Sequence, residues 1–261
     1  EMADAIQKHG GRAIVISRGG PMVRHLDRLG AKHYQLDVHT KNPFRWPQVR
    51  SRLKAILSRE KADLVHVRSR VPAWIALPAA AALGIATVST VHGRFIARSA
   101  FKRIYNRKLL KTDHVIAISN YVKDLITSQY VDVEDRLTVV HRGVDVDLFN
   151  PDNVNQTRIV NFVEGLAIPE DVPVIMLPAR ATMWKGHQIL LQALAKIKDR
   201  PFICLMIGAG DGKPAFVSEL VRYGQQLGLE GRFRLTPLVD DMPAALMVAD
   251  VVAMPSITPE P

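Results

Sequence analysis

The segment from Leu177 to Gly186 combines side chains that bind phosphate with a position that suits them. Arg180 follows an apolar run that predicts a buried strand, and Lys185-Gly186 directly precedes a pattern that predicts an amphipathic helix. Arginine offers a planar fork of N–H donors, and lysine offers a mobile point charge. The start of a helix adds unpaired backbone N–H groups and the positive end of its dipole. These residues predict a phosphate site; the alternative for the segment alone is an ordinary strand-to-helix turn with solvated cations.

The elements that would position this segment alternate along the whole chain. Short, continuous apolar runs are typical of parallel strands that are covered on both faces, and helical periodicity separates them. Strands are predicted at residues 12–17, 63–67, 86–91, 114–119, 137–140, 173–177, 202–207, 233–235 and 251–254. Helices are predicted at residues 1–9, 22–29, 48–59, 73–83, 121–128, 187–197, 215–227 and 243–248.

Two such arrays predict an α/β protein with two Rossmann-like, doubly wound domains. The join lies near Arg142-Gly143, just before a polar stretch, and we divide the chain into residues 1–147 and 148–261. Parallel sheets bind ligands beyond the carboxyl ends of their strands. The residues that follow strands are therefore the candidates: His92-Gly93, Arg142-Gly143, Arg180, Gly208-Ala209-Gly210 and the loop from Pro255 to Pro261.

Composition favours a soluble globular protein. The 261 residues are 48% hydrophobic and 23% charged, and no run approaches the ~18 apolar residues of a membrane span. The single cysteine, Cys204, lies in the apolar run 202–207 and is expected to be a buried thiol, which favours a cytosolic setting. Residue 1 is a glutamate inside a predicted helix, and nothing follows to cover the strand at 251–254. We therefore expect an internal fragment that lacks a strand and loop before Glu1 and several elements after Pro261.

Charge is unevenly distributed. The net charge is +10, and residues 1–150 carry 25 lysines and arginines against 13 acidic residues. A basic half favours an anionic partner: nucleic acid, an acidic membrane surface or a phosphorylated substrate. The alternative is a solvated basic surface.

Six motifs occur in an order that resembles one enzyme family. They are Val91-His92-Gly93, the stretch from Arg142 to Pro151, Arg180 with Lys185-Gly186, Ile207-Gly208-Ala209-Gly210, the stretch from Ala249 to Ser256, and Pro259-Glu260-Pro261. This series is similar to the retaining glycosyltransferases of family 4. The resemblance implies a GT-B fold, in which two Rossmann-like domains face across a cleft, here truncated at both ends. The N-terminal domain would serve the acceptor, and the C-terminal domain would bind the sugar nucleotide.

The resemblance also implies roles for individual residues. Catalytic contacts with the transferred sugar would come from His92 and Glu260. Diphosphate binding and stabilisation of the leaving group would come from Arg180 and Lys185. The remaining donor contacts would come from Gly186, Gly208, Gly210, Val239 and Asp241. Taken alone, Glu260 would read as an exposed terminal charge. The family's Gly-rich loop and its second glutamate would fall outside this chain, so activity of the chain by itself is in doubt.

The acceptor side of the basic half has its own candidates. Arg94, Arg98, Lys102 and Arg103 lie among apolar residues in a stretch that could rest on an anionic membrane surface or hold an anionic glycolipid, and Arg68 and Arg70 follow another strand. The alternative is a solvated helix whose apolar side packs on the domain. Nucleic-acid binding is disfavoured because no recognition motif accompanies the charge and aromatic residues are only 6% of the chain.

The resemblance implies a retaining glycosyltransferase that uses a UDP- or GDP-sugar without a permanent cofactor or a metal. Asp145-Val146-Asp147 has the spelling of a metal pair but lies in the join, where it is expected to cap a turn. The acceptor would be a glycan or glycolipid of the cell envelope, such as lipopolysaccharide. We expect the protein in the cytoplasm or peripherally on the cytoplasmic face of the inner membrane. The alternative function is non-catalytic sugar-nucleotide binding.

Overall fold

The computed structural model describes residues 2–20, 22–93, 95–97 and 99–260. The chain divides into two compact units, which we call unit 1, up to Gly143, and unit 2, Val144–Glu260. Each unit contains parallel strands joined by helices. The join predicted near Arg142-Gly143 thus lies at the boundary of the units, and the predicted division between residues 147 and 148 lies a few residues beyond it.

Unit 1 carries two parallel sheets. The first pairs β1 (Ile14–Ser17) with β2 (Lys32–Gln35). The second has the order β3 (Leu64–Val67), β4 (Ala86–Val91), β5 (His114–Ala117) and β6 (Leu137–Val139). The helices of this unit are α1 (Met2–Lys8), α2 (Val23–Arg28), α3 (Trp46–Arg59), α4 (Arg70–Ala81), α5 (Ala100–Arg107) and α6 (Asn120–Thr127).

Unit 2 carries one parallel sheet with the order β10 (Val251–Val252), β7 (Val174–Met176), β8 (Ile203–Ile207) and β9 (Phe233–Thr236). Its helices are α7 (Gln156–Gly165), α8 (His187–Ala195), α9 (Pro214–Gln226) and α10 (Met242–Val248). Every strand pair within the described residues is parallel, as the continuous apolar runs predicted.

The central strand of unit 2 shows why those runs are continuous. All five residues of β8 are buried. Cys204 and Met206 belong to one apolar cluster, whereas Ile203, Leu205 and Ile207 belong to another. Since successive side chains of a strand point to opposite faces, each face of the sheet has its own core. The carboxyl ends of the strands, where the candidate residues lie, are therefore fixed by packing on both sides.

Candidate functional site

The loop between β7 and α8 holds the two cations that the sequence singled out. The side chain of Lys185 lies over the ring of Trp184, with Nζ 4.3 Å from the ring centroid. Its Nζ donates to both carboxylate oxygens of Glu260, at 2.7 and 2.8 Å. Arg180 is exposed and has no ion-pair or hydrogen-bond partner among the residues that the structure describes. The loop thus presents one cation paired with a carboxylate and one that is available to an anion.

Gly186 brings this loop against the chain that leaves β10. Its φ is +77°, and it precedes α8 without a side-chain cap. A Cβ built there would lie 1.8 Å from the carbonyl oxygen of Pro255, so only glycine fits. The first-turn N–H groups of α8 have no side-chain acceptor, and an anion in front of them would meet the positive end of the helix.

Glu260 is held at this place by two donors. It accepts hydrogen bonds from Lys185 Nζ and from the hydroxyl of Ser256. Burial raises the pKa of the Glu260 carboxyl, but the two hydrogen bonds outweigh burial and leave the pKa below its usual value. At neutral pH Glu260 is therefore a charged, ion-paired carboxylate rather than an isolated surface charge.

His187 is a residue of this site that the sequence analysis missed. It is the first residue of α8, is 1% exposed, and its Nε2 lies 3.1 Å from the carbonyl oxygen of Ala179. Burial lowers the pKa of this imidazole, so it is neutral and donates to that carbonyl. His187 ties the start of α8 to the residue before Arg180. A histidine directly after Lys185-Gly186 was the only sequence signal for this contact.

The glycines after β8 pack against the loop after β9. A Cβ at Gly210 would lie 2.9 Å from the backbone of Thr236 and Pro237, and the Gly210 N–H donates to the Thr236 carbonyl at 2.8 Å. The Gly208 N–H donates to the Pro237 carbonyl at 3.2 Å, with φ at +80°. Gly210 thus has a packing reason and Gly208 a conformational one, and both reasons are independent of any ligand.

Val239 and Asp241 are also engaged inside unit 2. The side chain of Val239 packs against the core beneath α10. Asp241 accepts from Arg158 Nε at 2.8 Å and from a terminal nitrogen of Arg158 at 2.7 Å, and it caps α10 at the N–H of Ala244. Arg158 holds the pKa of the Asp241 carboxyl below its usual value. A base contact by Asp241 would have to share this carboxylate with Arg158.

His92 follows β4 in unit 1 and lies between two arginines. Arg68 Nε is 2.9 Å from His92 Nε2, and a terminal nitrogen of Arg142 is 3.0 Å from Nδ1. Burial, then the charges of Arg68, Arg142 and His66, lower the pKa of His92 to about 4. The imidazole is thus neutral at physiological pH. A neutral imidazole carries one N–H and accepts at the other nitrogen, so only one of the two arginines can donate to it.

We expect a histidine NMR titration to find His92 with a midpoint near pH 4, below the ordinary value of 6.5. The Arg68→Ala variant should raise the midpoint because it removes a positive charge that disfavours the imidazolium. The unfolded chain takes up this proton near pH 6.5, so stability falls as the pH drops from 6.5 towards 4. The His92→Gln variant assigns the signal. A midpoint near 6.5 would contradict the observed burial and arginine contacts.

His92 lines a pocket of about 390 Å³ within unit 1. Arg68, Arg70, Thr90, Phe95 and Tyr105 also line it. The guanidinium of Arg70 lies 5.0 Å from the ring centroid of Phe95. The sequence placed Arg68 and Arg70 after a strand, and the structure brings both of them to this pocket together with His92. We call it the His92 pocket.

The basic stretch beyond it forms α5. Lys102 and Arg103 are exposed on this helix. Phe101 and Ile104 are 80% and 63% exposed, whereas Leu109 and Leu110 in the turn after α5 are buried. Part of the apolar side therefore packs on the domain, and part of it is exposed. Arg94 and Arg98 lie outside the described residues.

Among residues 2–20, 22–93, 95–97 and 99–260, no three His, Cys, Asp or Glu side chains form a group that could hold a metal ion. Asp145 Oδ1 accepts from the N–H groups of Asp147 and Leu148, at 3.2 and 3.0 Å, and so caps a turn as predicted.

Across the described part of the chain, no helix is both long enough and apolar enough to cross a membrane.

Solved structures resemble the whole chain. A glycosyltransferase from Rickettsia africae is 33% identical, with a TM-score of 0.87 over 99% of this chain and 68% of that one. Anabaena HepE, solved in complex with UDP-glucose, has a TM-score of 0.82 at 20% identity, over 100% of this chain and 70% of that one. These likenesses confirm the predicted GT-B fold class.

Curated relatives and family profiles agree with the structures. The D-inositol 3-phosphate glycosyltransferase of Xylanimonas cellulosilytica is 34% identical over 137 residues, which are 51% of this chain and 32% of the relative. That of Corynebacterium glutamicum is 30% identical over 60% of this chain and 39% of its own length. The chain thus spans about a third of the length of these two relatives. The profile named Glycosyl transferases group 1 matches residues 172–260. The profile of Glycosyltransferase Family 4 matches residues 1–148, more than half of the chain, and the chain therefore belongs to that family.

Proposed function

We propose that the protein transfers a sugar from a UDP- or GDP-sugar to a glycan or glycolipid acceptor, with retention at the anomeric carbon. The observation that carries the proposal is the pairing of Lys185 with Glu260 directly before α8, in a loop that also holds the exposed Arg180. Family membership supports transfer, and retention rests on the family resemblance alone. The acceptor belongs to the cell envelope in this proposal, as for lipopolysaccharide, and the protein works at the cytoplasmic face of the membrane.

The donor diphosphate would lie at the β7–α8 loop. Breaking the bond between the anomeric carbon and the phosphate oxygen puts new negative charge on that oxygen, and fixed cations stabilise it most in the transition state. Lys185 has three N–H donors, and two of them meet the oxygens of Glu260. The third donor is available to a phosphate oxygen. A phosphate held there would bring the attached sugar next to the Glu260 carboxylate, which accepts hydrogen bonds from sugar hydroxyls.

Residues of unit 1 complete the proposal. His92, neutral at physiological pH, contacts the transferred sugar. Arg68 and Arg70 in the His92 pocket bind the acceptor. Among the donor-side residues, Gly208 and Gly210 let the backbone approach the nucleotide, while Val239 and Asp241 lie by the base.

The test of this function is a panel of UDP- and GDP-sugars, measured by thermal shift on the full-length protein with a chelator present. We expect one donor to raise the melting temperature without metal. Loss of one envelope glycolipid in a deletion strain, detected by mass spectrometry, would then identify the acceptor. Donor binding with neither transfer nor slow donor hydrolysis would support the non-catalytic alternative. Tight, steeply salt-dependent binding of mixed DNA and RNA would count against the proposal.

Membrane contact by α5 is a separate prediction. Exposed Phe101 and Ile104 lie beside Lys102 and Arg103, and burying such apolar side chains in the headgroup region adds to the attraction of the cations for anionic lipid. We expect the double variant Phe101→Ser with Ile104→Ser to bind phosphatidylglycerol vesicles about tenfold more weakly in a co-sedimentation assay.

The matched control for this prediction is Phe44→Ser, because Phe44 is 91% exposed but lies outside α5. Equal losses in the control and in the double variant would contradict a specific role for α5. Vesicles of phosphatidylcholine alone should bind weakly in all cases, since they offer no net negative charge.

A further inference from the structure

Unit 1 has a second pocket, and none of the residues assigned to the proposed donor and acceptor sites lines it. It is open, has a volume of about 310 Å³, and is lined by Arg18, Arg45 and Arg52 together with Asp37, Gln35 and Gln48. We call it the arginine pocket. Its floor is apolar, because Leu36 and Val49 are buried beneath the polar residues.

The fold explains why these residues meet. Ser17 and Gln35 are register partners at the carboxyl ends of β1 and β2, and Arg18 directly follows Ser17. Gln48 and Arg52 lie four residues apart in the first half of α3, so they share one face of the helix. The pocket thus lies where a parallel sheet ordinarily binds ligands, beyond its strand ends.

The charges in this pocket are poorly matched. Asp37 is the only carboxylate among the described lining residues, and the nearest nitrogens of Arg18 and Arg45 are 3.8 and 3.7 Å away from it. The imidazole of His39 lies beside both groups, with Nδ1 3.4 Å from Asp37 and Nε2 3.2 Å from a terminal nitrogen of Arg18. Asp37 Oδ1 is buried without a hydrogen-bond partner. Arg52 is exposed and has no ion-pair or hydrogen-bond partner within the described ranges. Two of the three guanidinium groups therefore lie near one carboxylate that hydrogen-bonds to neither of them, and the third has no carboxylate within ion-pair distance among the described residues.

A structural ion cluster in the same unit looks different. Glu60 has a side chain that is 5% exposed, and it accepts from Lys32 Nζ at 2.7 Å, from the hydroxyl of Tyr34 and from Arg12. Both of its carboxylate oxygens are hydrogen-bonded, and these contacts hold β1, β2 and the end of α3 together. The contacts around Asp37 have neither this burial nor this geometry, so packing of β1 and β2 does not account for the arginine pocket.

We propose that the arginine pocket binds the phosphomonoester of a phosphorylated sugar acceptor. A dianionic phosphate has enough oxygens to accept from several guanidinium forks, and arginine prefers such bidentate pairing. The volume leaves room for a sugar ring beside the phosphate, and the amides of Gln35 and Gln48 can hydrogen-bond its hydroxyls. As an acceptor site, the inference rests on the proposed function; as a phosphate site, it rests on the pocket alone.

Binding of glucose 6-phosphate to the full-length protein, measured by calorimetry at constant ionic strength, tests the proposal. Glucose and glucuronate serve as the uncharged and carboxylate comparisons, and vesicles of phosphatidylglycerol test a lipid phosphate. We expect glucose 6-phosphate to bind most tightly, and Arg52→Gln to weaken it about tenfold or more. Because Arg52 is exposed and unpartnered among the described residues, the variant should fold.

Lys54→Gln is the matched control, since it removes one charge from the same helix on a different face and should leave binding unchanged.

The proposal is overturned if glucose 6-phosphate does not bind, if Arg52→Gln binds it as well as wild type, or if glucuronate or the vesicles bind as tightly. It is also overturned if Lys185→Ala abolishes the binding, which would place the phosphate in unit 2. Binding of UDP and GDP to the same preparations separates the outcomes. If the wild-type protein binds neither nucleotide, the donor site is refuted, and a measured binding of glucose 6-phosphate at the arginine pocket still stands.

Discussion

Replacing Gly186 with alanine should lower the free energy of unfolding of unit 2 by about 3 kcal/mol and weaken sugar-nucleotide binding. Two costs add. The left-handed backbone, with φ at +77°, disfavours any side chain, and the new Cβ would lie 1.8 Å from the Pro255 carbonyl oxygen and 2.6 Å from its carbon. Both obstacles are backbone atoms, so the chain after β10 must move. That chain carries Glu260, the partner of Lys185.

The single cysteine offers a local measurement of this loss. Cys204 is fully buried in β8, and burial raises the pKa of its thiol to about 12. Only unfolding of unit 2 exposes a reactive thiolate, so the rate of thiol labelling in the native protein reports the stability of this unit. We expect Gly186→Ala to be labelled about a hundredfold faster than wild type.

Gly231→Ala separates the two costs. Gly231 has φ at +74° in the same unit, but a Cβ there would meet no atom within 4 Å. This control should cost only the backbone strain, about 1 kcal/mol. If the two variants were equally stable, the close approach of Gly186 to Pro255 would not exist in solution.

The sequence was sufficient for most of the fold because the central strand of unit 2 is buried on both faces. An apolar run such as residues 202–207 has little choice but to form a central strand, and β8 is observed within it. β2 was missed for the opposite reason. Its residues, Lys32-His33-Tyr34-Gln35, are polar and none is buried, so neither an apolar run nor a clean alternation marks the strand. Pairing with β1, and the contacts of Lys32 and Tyr34 with Glu60, hold it in place.

The site was predicted less completely than the fold, and the missing part is long-range. Lys185 and Glu260 were both named, but the hydrogen bonds between them join positions that no local pattern connects. The pairing of Arg158 with Asp241 is equally non-local. From the sequence, Asp241 could either cap a helix or contact the base of the nucleotide. Its role cannot be assigned until its neighbours in space are known. The exposure of Phe101 on α5 is another such case, since amphipathic spacing alone does not say which side is covered.

Replacing Lys185 with alanine should lower kcat by about a hundredfold to a thousandfold, with a smaller change in KM. The lysine cation would stabilise charge that appears on the phosphate oxygen only as the glycosidic bond breaks, so its loss acts mainly on the transition state. Steady-state kinetics of the full-length protein with its best donor measures both constants. Arg180→Ala should behave in the same way, because Arg180 belongs to the same loop and is free to meet the anion.

Lys196→Ala is the matched control for this prediction, because Lys196 lies at the far end of α8 and is exposed. It removes the same charge without touching the loop and should leave kcat unchanged.

Lys185→Ala also frees Glu260 from the hydrogen bond that lowers its pKa, so the acidic limb of the pH–rate profile should move to higher pH. The double variant Lys185→Ala with Glu260→Gln tests whether the two residues act together on the sugar phosphate. If they do, the fold-reduction in kcat of the double variant should be smaller than the product of the fold-reductions in the two single variants. Equal KM and kcat in Lys185→Ala and wild type would remove Lys185 from the mechanism, and the donor phosphate would then have to be placed elsewhere in unit 2.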